Sequence, residues 1–244
     1  MPSVPAHTRK ARVVAVAAAV VLCGCAATTD HAGTPPSTGV SAPQGEVPGV
    51  PRPGSMARTV PTVSASPSPT AVEIPTKGTG GFVVAAGEST PVGSGDVIRY
   101  TVEIEGDLPL VPAEIARVVD ATLADPRSWT AFGEHAFQRS EAGGDLRVLL
   151  ASPATTDELC APLRTRGEVS CRNGELVVIN AQRWAHGVEA YGDDVDGYRQ
   201  YVVNHEVGHA IGFGHVGCPG VGEPAPVMLQ QTYGLDGCLP NPWP

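Results

Sequence analysis

Residues 205–215 read His-Glu-Val-Gly-His-Ala-Ile-Gly-Phe-Gly-His. The spacing of the three histidines in this stretch is the most informative feature of the sequence. His205 and His209 are four residues apart, so on an α-helix their imidazoles project from the same face. Both rings can then reach one cation at about 2.0–2.1 Å each. Gly212 permits the left-handed backbone that a sharp helix exit requires, and His215 can return to the same ion.

Three imidazoles at this spacing indicate a particular kind of metal site. Neutral imidazoles suit Zn²⁺, and three of them leave a fourth coordination position open, which is typical of catalytic rather than structural zinc. Glu206 follows His205 directly and can lie beside the ion without ligating it, so it can take a proton from water at the metal. We therefore expect one Zn²⁺ per chain, with Glu206 as the general base and with the ligands His205, His209 and His215.

The spacing HExxHxxGxxH resembles the signature of the metzincin clan of zinc peptidases. The resemblance implies a compact α+β zincin domain, in which a mixed twisted sheet packs on the active-site helix and the C-terminal subdomain is irregular. It also implies a Met-turn downstream, with Met228 as the hydrophobic floor beneath the metal. Gln230 stands where some metzincins place an extra Tyr ligand, and Tyr233, at a different offset, is the candidate donor to the transition state.

The same resemblance implies an enzyme, a zinc metallopeptidase that hydrolyses peptide bonds in a peptide or protein substrate. By resemblance, an edge strand near the site could pair with an extended substrate, and the strand predicted over residues 175–180 precedes the active helix. Two alternatives stay open: a non-catalytic envelope module that uses the zinc for stability or partner binding, and a hydrolase of cell-wall peptides. From about residue 82 to 244, the chain also resembles a family of exported high-GC bacterial proteins of unassigned function.

The N-terminal residues 1–27 have the pattern of an export signal. A basic start precedes ten apolar residues, too few for a stable membrane span. Leu22-Cys23-Gly24-Cys25 resembles a bacterial lipobox, which would make Cys25 the acylated N-terminus. Ordinary cleavage near residue 26 or 27 is the alternative. Both interpretations predict an extracytoplasmic protein, either anchored to the membrane by lipid or secreted.

The remaining chain divides into a linker and one domain. Residues 28–76 hold ten of the 24 prolines and no Phe, Tyr or Trp, so they cannot bury enough apolar surface to order themselves. We therefore predict a disordered Pro/Ser/Thr-rich linker. Residues 77–244 are long enough to form one hydrophobic core.

Charge and hydropathy exclude two classes of protein. The chain has 16 Lys+Arg against 25 Asp+Glu, a net charge of -9, and the basic residues of the domain are scattered singly. Nucleic acids are therefore excluded as partners, because phosphate binding needs clustered Lys and Arg. No apolar run reaches the roughly 18 residues of a spanning helix, so membrane contact is expected only through an N-terminal lipid. The sequence does not indicate an oligomeric state.

Hydrophobic periodicity predicts an α+β domain. Between residues 96 and 105, apolar and polar residues alternate, which indicates a half-buried strand. Asn173-Gly174 is typical of a tight hairpin turn. Everything after His215 is rich in Gly and Pro and is expected to be irregular. The predicted strands cover 81–86, 96–105, 136–139, 146–151, 169–172 and 175–180, and the predicted helices cover 112–123 and 194–211.

Four cysteines remain in the domain, and in an exported protein an even number predicts disulfides. Three connectivities are possible. Nearest-neighbour pairing joins Cys160 to Cys171 and Cys218 to Cys238, and the second bond would clamp the loop that carries Met228. Cys218 lies close to His215, but oxidising surroundings and a complete set of three histidines disfavour it as a metal ligand. The other histidines of the domain, His135 and His186, lack ligand spacing.

Overall fold

The computed structural model describes residues 72–244. The predicted export signal, the lipidation at Cys25 and most of the predicted linker lie outside the described residues. Ile74, inside the predicted linker, is buried in the main core, and the carbonyl of Thr76 accepts a hydrogen bond from Ala154 N–H. The packed part of the chain therefore includes residues before 77. Within the described residues, no helix has the length and apolar character needed to cross a membrane.

The domain contains seven strands and four α-helices, with two short 3₁₀ turns at Trp129–Phe132 and Glu189–Tyr191. The predicted α+β class is thus confirmed. The elements in chain order are β1 (Phe82–Val84), β2 (Val92–Gly93), β3 (Asp96–Glu105), α1 (Pro112–Ala124), β4 (His135–Arg139), β5 (Leu146–Ala151), α2 (Pro153–Cys160), β6 (Cys171–Asn173), β7 (Leu176–Asn180), α3 (Ala181–His186) and α4 (Val195–Ala210).

All seven strands belong to one mixed sheet with the order β2-β4-β3-β5-β7-β6, and β1 pairs with β3 outside this path. The central pairs β3–β4, β3–β5 and β5–β7 are parallel. The outer pairs β1–β3, β2–β4 and β6–β7 are antiparallel. The strand predicted over residues 175–180 is therefore interior, and the sheet edge beside it is the short strand β6.

Strand β3 is buried on both faces along its second half, so the prediction of a half-buried strand was wrong there. Its apolar residues face the main core, as the alternation predicts, but its polar residues are also covered. Glu103 accepts two hydrogen bonds from Arg147 and one from Thr101. A carboxylate can be buried when enough groups donate hydrogen bonds to it in place of water. The polar residues of this strand therefore did not indicate a solvent-exposed face.

The sheet has a large core on one face and a small one on the other. Helices α1 and α4 cover the first face, where Trp184, Tyr198 and Tyr201 are fully buried. Helix α2 covers the second face over a small cluster that includes Leu149 and Val178. Neither α2 nor α3 was predicted, because each is too short to display a helical hydrophobic period.

The C-terminal segment after α4 contains no further helix or strand, apart from one isolated bridge between Pro224 and Leu239. Its own small apolar cluster surrounds Cys238, which is bonded to Cys218. Cys160 is bonded to Cys171, so both disulfides follow the nearest-neighbour pairing. Disulfides persist in oxidising compartments, and this pair indicates an extracytoplasmic protein.

Candidate metal centre

Helix α4 places two of the three histidines, and buried hydrogen bonds fix the helix itself. Asp194 caps its first turn by accepting from Gly197 N–H at 2.9 Å. Asn204, one residue before the motif, accepts from Ser128 Oγ at 2.8 Å and donates to the Pro242 carbonyl at 2.9 Å. Because Ser128 and Pro242 come from two distant parts of the chain, the helix is held in one position at the motif.

The chain leaves α4 so that the third histidine returns to the first two. The helix ends at Ala210, and Gly212 has a φ of +103°, which a residue with a side chain rarely adopts. His209 Nε2 then lies 3.0 Å from His215 Nε2. The potential ligand atoms of His205, His209 and His215 all lie within 4.8 Å of one another, and no other such group of His, Cys, Asp and Glu occurs within the described residues.

Backbone carbonyls fix the tautomers of two of these rings. His205 Nδ1 is 2.8 Å from the carbonyl of Val227, and His209 Nδ1 is 2.8 Å from the carbonyl of Phe213. A carbonyl can only accept, so each Nδ1 carries the proton and each Nε2 presents its lone pair. Two nitrogens bound to one tetrahedral zinc at about 2.05 Å lie about 3.3 Å apart, close to the observed Nε2 separation.

The same surroundings favour the neutral forms of His205 and His215. Burial lowers the pKa of His205 to about 4. Burial also lowers the pKa of His215, and the neighbouring His209 lowers it further. Neutral imidazole is the form that binds metals. These rings are therefore ready to ligate at neutral pH without losing a proton.

Burial favours the neutral form of Glu206 in the cleft. It is buried, one carboxylate oxygen (Oε2) has no hydrogen-bond partner within residues 72–244, and burial raises its pKa to about 8. A nearby cation would favour the ionised form and relieve this cost. The three converging imidazoles, two of which present Nε2 lone pairs, and the buried carboxyl group together fit a divalent metal, and an imidazole donor set suits Zn²⁺.

Met228 packs directly beneath the motif. It is buried, and a Cβ added to Gly208 would lie 2.5 Å from Met228 Sδ and 2.6 Å from the Trp129 ring. The glycine within the motif thus gives these two side chains room to touch the helix. The residue before Met228 supplies the carbonyl that orients His205, so the turn supports the site through its backbone as well.

The three histidines and Glu206 line a cavity of about 350 Å³. Tyr233 and Gln230 lie in the wall of this cavity, and Tyr233 is 61% exposed. Tyr201 also lines it, but its hydroxyl already donates to the Leu229 carbonyl and accepts from Gln231 N–H. Tyr233 is therefore the phenol in this wall that is better placed to act on a bound molecule.

The other sequence candidates lie elsewhere. Cys218 is in a disulfide, so it has no thiolate for a metal. His135 belongs to β4, and His186 lines a different cavity. Two wall residues, Arg164 and Arg172, were not anticipated from the sequence. No local pattern could have shown them, because their position depends on the fold around the Cys160–Cys171 disulfide.

Comparison with known families gives one match. Residues 68–239 match a family described as "Protein of unknown function (DUF3152)". The chain belongs to this family. The match covers nearly all of the packed region and begins before Ile74, in agreement with the burial of that residue. No curated protein and no solved structure matches the chain. The family description assigns no chemistry, so a function must be argued from the site.

Proposed function

We propose that the chain is an extracytoplasmic zinc metallopeptidase of the metzincin type. His205, His209 and His215 would hold one Zn²⁺, and Glu206 would act as the general base. The observation that carries the proposal is the convergence of three imidazoles beside a buried carboxyl group, one oxygen of which has no hydrogen-bond partner within residues 72–244, in the wall of one cavity. The HExxHxxGxxH spacing and the Met-turn candidate support the same assignment.

Zinc held by such a ligand set supplies Lewis-acid chemistry, since it polarises a carbonyl and makes water more acidic. The residues of the chain supply the proton transfers. The carboxylate of Glu206 accepts the proton of the attacking water and later delivers it to the leaving amine. The Tyr233 hydroxyl would donate to the oxygen that becomes negatively charged in the transition state. Met228 and Trp129 pack against Gly208 and so support α4 at the motif.

Substrate would enter along the edge of the sheet. β6 is the edge strand, and residues 169–172, which include its first two positions, line the cavity. The free backbone groups of an edge strand can pair with an extended peptide. This places the proposed pairing on β6 rather than on β7.

The test uses the zinc-loaded protein and its Glu206→Gln variant, which keeps the shape of the side chain. We expect one zinc per chain in both proteins and loss of peptide hydrolysis in the variant by a factor of at least about 100. Unchanged turnover in the zinc-loaded variant would refute the role of Glu206. Bound zinc without hydrolysis of any peptide in a random library would favour a binding module, and release of products only from purified wall material would favour a cell-wall peptide substrate.

We further propose that the mature chain is held at the outer face of the membrane through an acylated Cys25, with the Pro-rich segment as a tether. The basis is the lipobox-like sequence alone. Detergent phase partitioning of the exported protein, compared with its Cys25→Ser variant, tests this. Recovery of both proteins in the aqueous phase would exclude the anchor.

A further inference from the structure

Two arginines lie in the wall of the metal-site cavity, although the chain is acidic overall. Arg164 and Arg172 line the same cavity as the three histidines. Within the described residues neither takes part in a salt bridge, whereas Arg139 and Arg147 are paired with carboxylates. Two arginines in one cavity wall therefore have no carboxylate at salt-bridge distance within the described residues, although Arg172 also lines a neighbouring cavity together with Asp145 and Glu175.

The cavity wall contrasts with the rest of the surface. The whole chain has a net charge of -9, yet Glu206 is the one carboxylate among the residues that line the cavity. An anionic molecule is repelled by the general field of such a protein and is attracted only where positive charge is concentrated. The cavity is such a place, and a divalent metal would add to its positive charge.

Arg164 lies in a segment that is fixed at both ends by a disulfide. We refer to residues 161–170 as the disulfide loop, because Cys160 and Cys171 flank it and are bonded to each other. Asp157 accepts hydrogen bonds from Gly167 N–H at 2.7 Å and from the Thr165 hydroxyl. Asn180 donates to the Gly167 carbonyl at 2.9 Å. A loop fixed in this way loses little conformational entropy when it binds a ligand.

Arg172 approaches the cavity from the other side of the same disulfide. It belongs to the edge strand β6, whose pairing with β7 sets its register. The two arginines therefore stand on rigid supports that meet at Cys160–Cys171, beside the edge where an extended peptide would lie. Guanidinium groups bind carboxylates through parallel hydrogen bonds, which makes them selective for this group.

We propose that Arg164 and Arg172 bind a carboxylate of the substrate, so that the cavity selects peptides with an acidic group beside the scissile bond. This inference rests on the proposed peptidase function and specifies its substrate class. An acidic side chain and a free C-terminal carboxylate offer the same chemistry. The first would make the enzyme an endopeptidase with acidic preference, and the second would make it trim chain ends.

The binding test uses the Glu206→Gln protein and three fluorescent peptides of equal length. One has a central Glu and an amidated C-terminus, one has a central Gln and a free C-terminus, and one has a central Gln and an amidated C-terminus. We expect one of the carboxylate peptides to bind at least about tenfold tighter than the neutral peptide at low salt, and less so at high salt. Equal affinities, or no binding of any peptide, would overturn the proposal.

Three matched variants locate the effect. Arg164→Gln and Arg172→Gln should each lower the affinity for the carboxylate peptide about tenfold and leave the affinity for the neutral peptide unchanged. Arg166→Gln is the control, because Arg166 is an exposed residue of the same loop that lines a different cavity. Equal melting temperatures would show that all three variants fold. Losses as large in the control, or none in the cavity variants, would contradict the assignment.

Hydrolysis by the zinc-loaded wild-type protein separates the two proposals. Cleavage of a random peptide library without preference for acidic groups would overturn the carboxylate site and leave the peptidase intact. Selective, arginine-dependent binding of carboxylate peptides without any hydrolysis would support the carboxylate site and overturn the peptidase.

Discussion

At the scale of single residues, the site depends on groups that are not ligands. His205 is oriented by the carbonyl of Val227, and Gly208 leaves the space that Met228 and Trp129 fill. Neither Val227 nor Gly208 contributes a functional group to the chemistry. Each nevertheless fixes where a ligand nitrogen lies, and small displacements of ligands weaken metal sites.

We predict that Gly208→Ala damages the site although alanine is the better helix former. Its methyl group would lie within 2.6 Å of both Met228 Sδ and the Trp129 ring, so the floor must move. Overpacking of this kind costs about 1–3 kcal/mol, which outweighs the gain of up to about 1 kcal/mol in helix propensity. Chemical denaturation and zinc affinity measure the effect.

The control for this variant is Gly217→Ala, where an added methyl group meets no atom within 4 Å. It should leave both the stability and the zinc affinity within experimental error. A Gly208→Ala protein as stable and as tightly zinc-binding as this control would contradict the role we assign to the floor.

Glu105 gives a prediction about pH. Burial alone raises the pKa of this carboxyl, but hydrogen bonds from Ser152 N–H, Thr155 Oγ1 and Gly80 N–H outweigh burial and lower it below its ordinary value of 4.5. A lowered pKa in the folded state contributes stability that is present above the ordinary value and is lost as the pH falls through the folded value. The free energy of unfolding should therefore fall below about pH 4.5, and it should fall less steeply in Glu105→Gln.

Denaturant titrations between pH 3 and 7 measure this dependence. The Glu105→Gln protein should also be less stable at pH 7, because an amide group must face backbone donors that a carboxylate satisfied. Glu134→Gln, an exposed residue with no side-chain hydrogen bond or salt bridge within the described residues, is the matched control. If both variants showed the wild-type pH profile, Glu105 would have no part in acid stability.

At the scale of elements, the two disulfides brace the two sides of the cavity. Cys160–Cys171 flanks the disulfide loop, and Cys218–Cys238 closes the segment that contains Met228. The second bond spans a sequence separation of 20 residues in a region without helices or strands. The segment it closes also supplies the Val227 carbonyl to His205.

We predict that replacing both Cys218 and Cys238 by Ser lowers the free energy of unfolding by about 3 kcal/mol, as the loop-closure model gives for a loop of this length. Zinc affinity should fall as well, because the turn that orients His205 is no longer held. Replacing Cys160 and Cys171 should affect stability and peptide binding but leave zinc affinity closer to the wild-type value. Equal zinc affinities in the two double variants would contradict this division of roles.

Long elements and the short strands β4, β5 and β7 were predictable from the sequence, whereas the short helices were not. Strand β3 and helices α1 and α4 lie within two residues of their predicted bounds, because each displays its period over at least ten residues. Helices α2 and α3 were missed. The burial of Glu103 and Glu105 was also missed, since it depends on donors from residues far along the chain.

At the scale of the whole molecule, the candidate metal site could be located from eleven consecutive residues, but its cavity could not. The histidines, Glu206 and Gly212 lie within this stretch, and the helix together with the turn at Gly212 brings the three imidazoles together. The arginine wall and the Val227 carbonyl come from other segments, and only the folded chain brings them to the site. The sheet order likewise decides that β6, not β7, is the edge strand beside the cavity.

Zinc X-ray absorption spectroscopy on the zinc-loaded protein counts the ligands of the metal directly. We predict one zinc per chain, bound by three imidazole nitrogens and one further light atom at about 2.0–2.1 Å. In His215→Ala, one of the three imidazoles should be lost from the spectrum. A spectrum with sulfur ligands near about 2.3 Å, or an unchanged imidazole count in His215→Ala, would contradict this prediction.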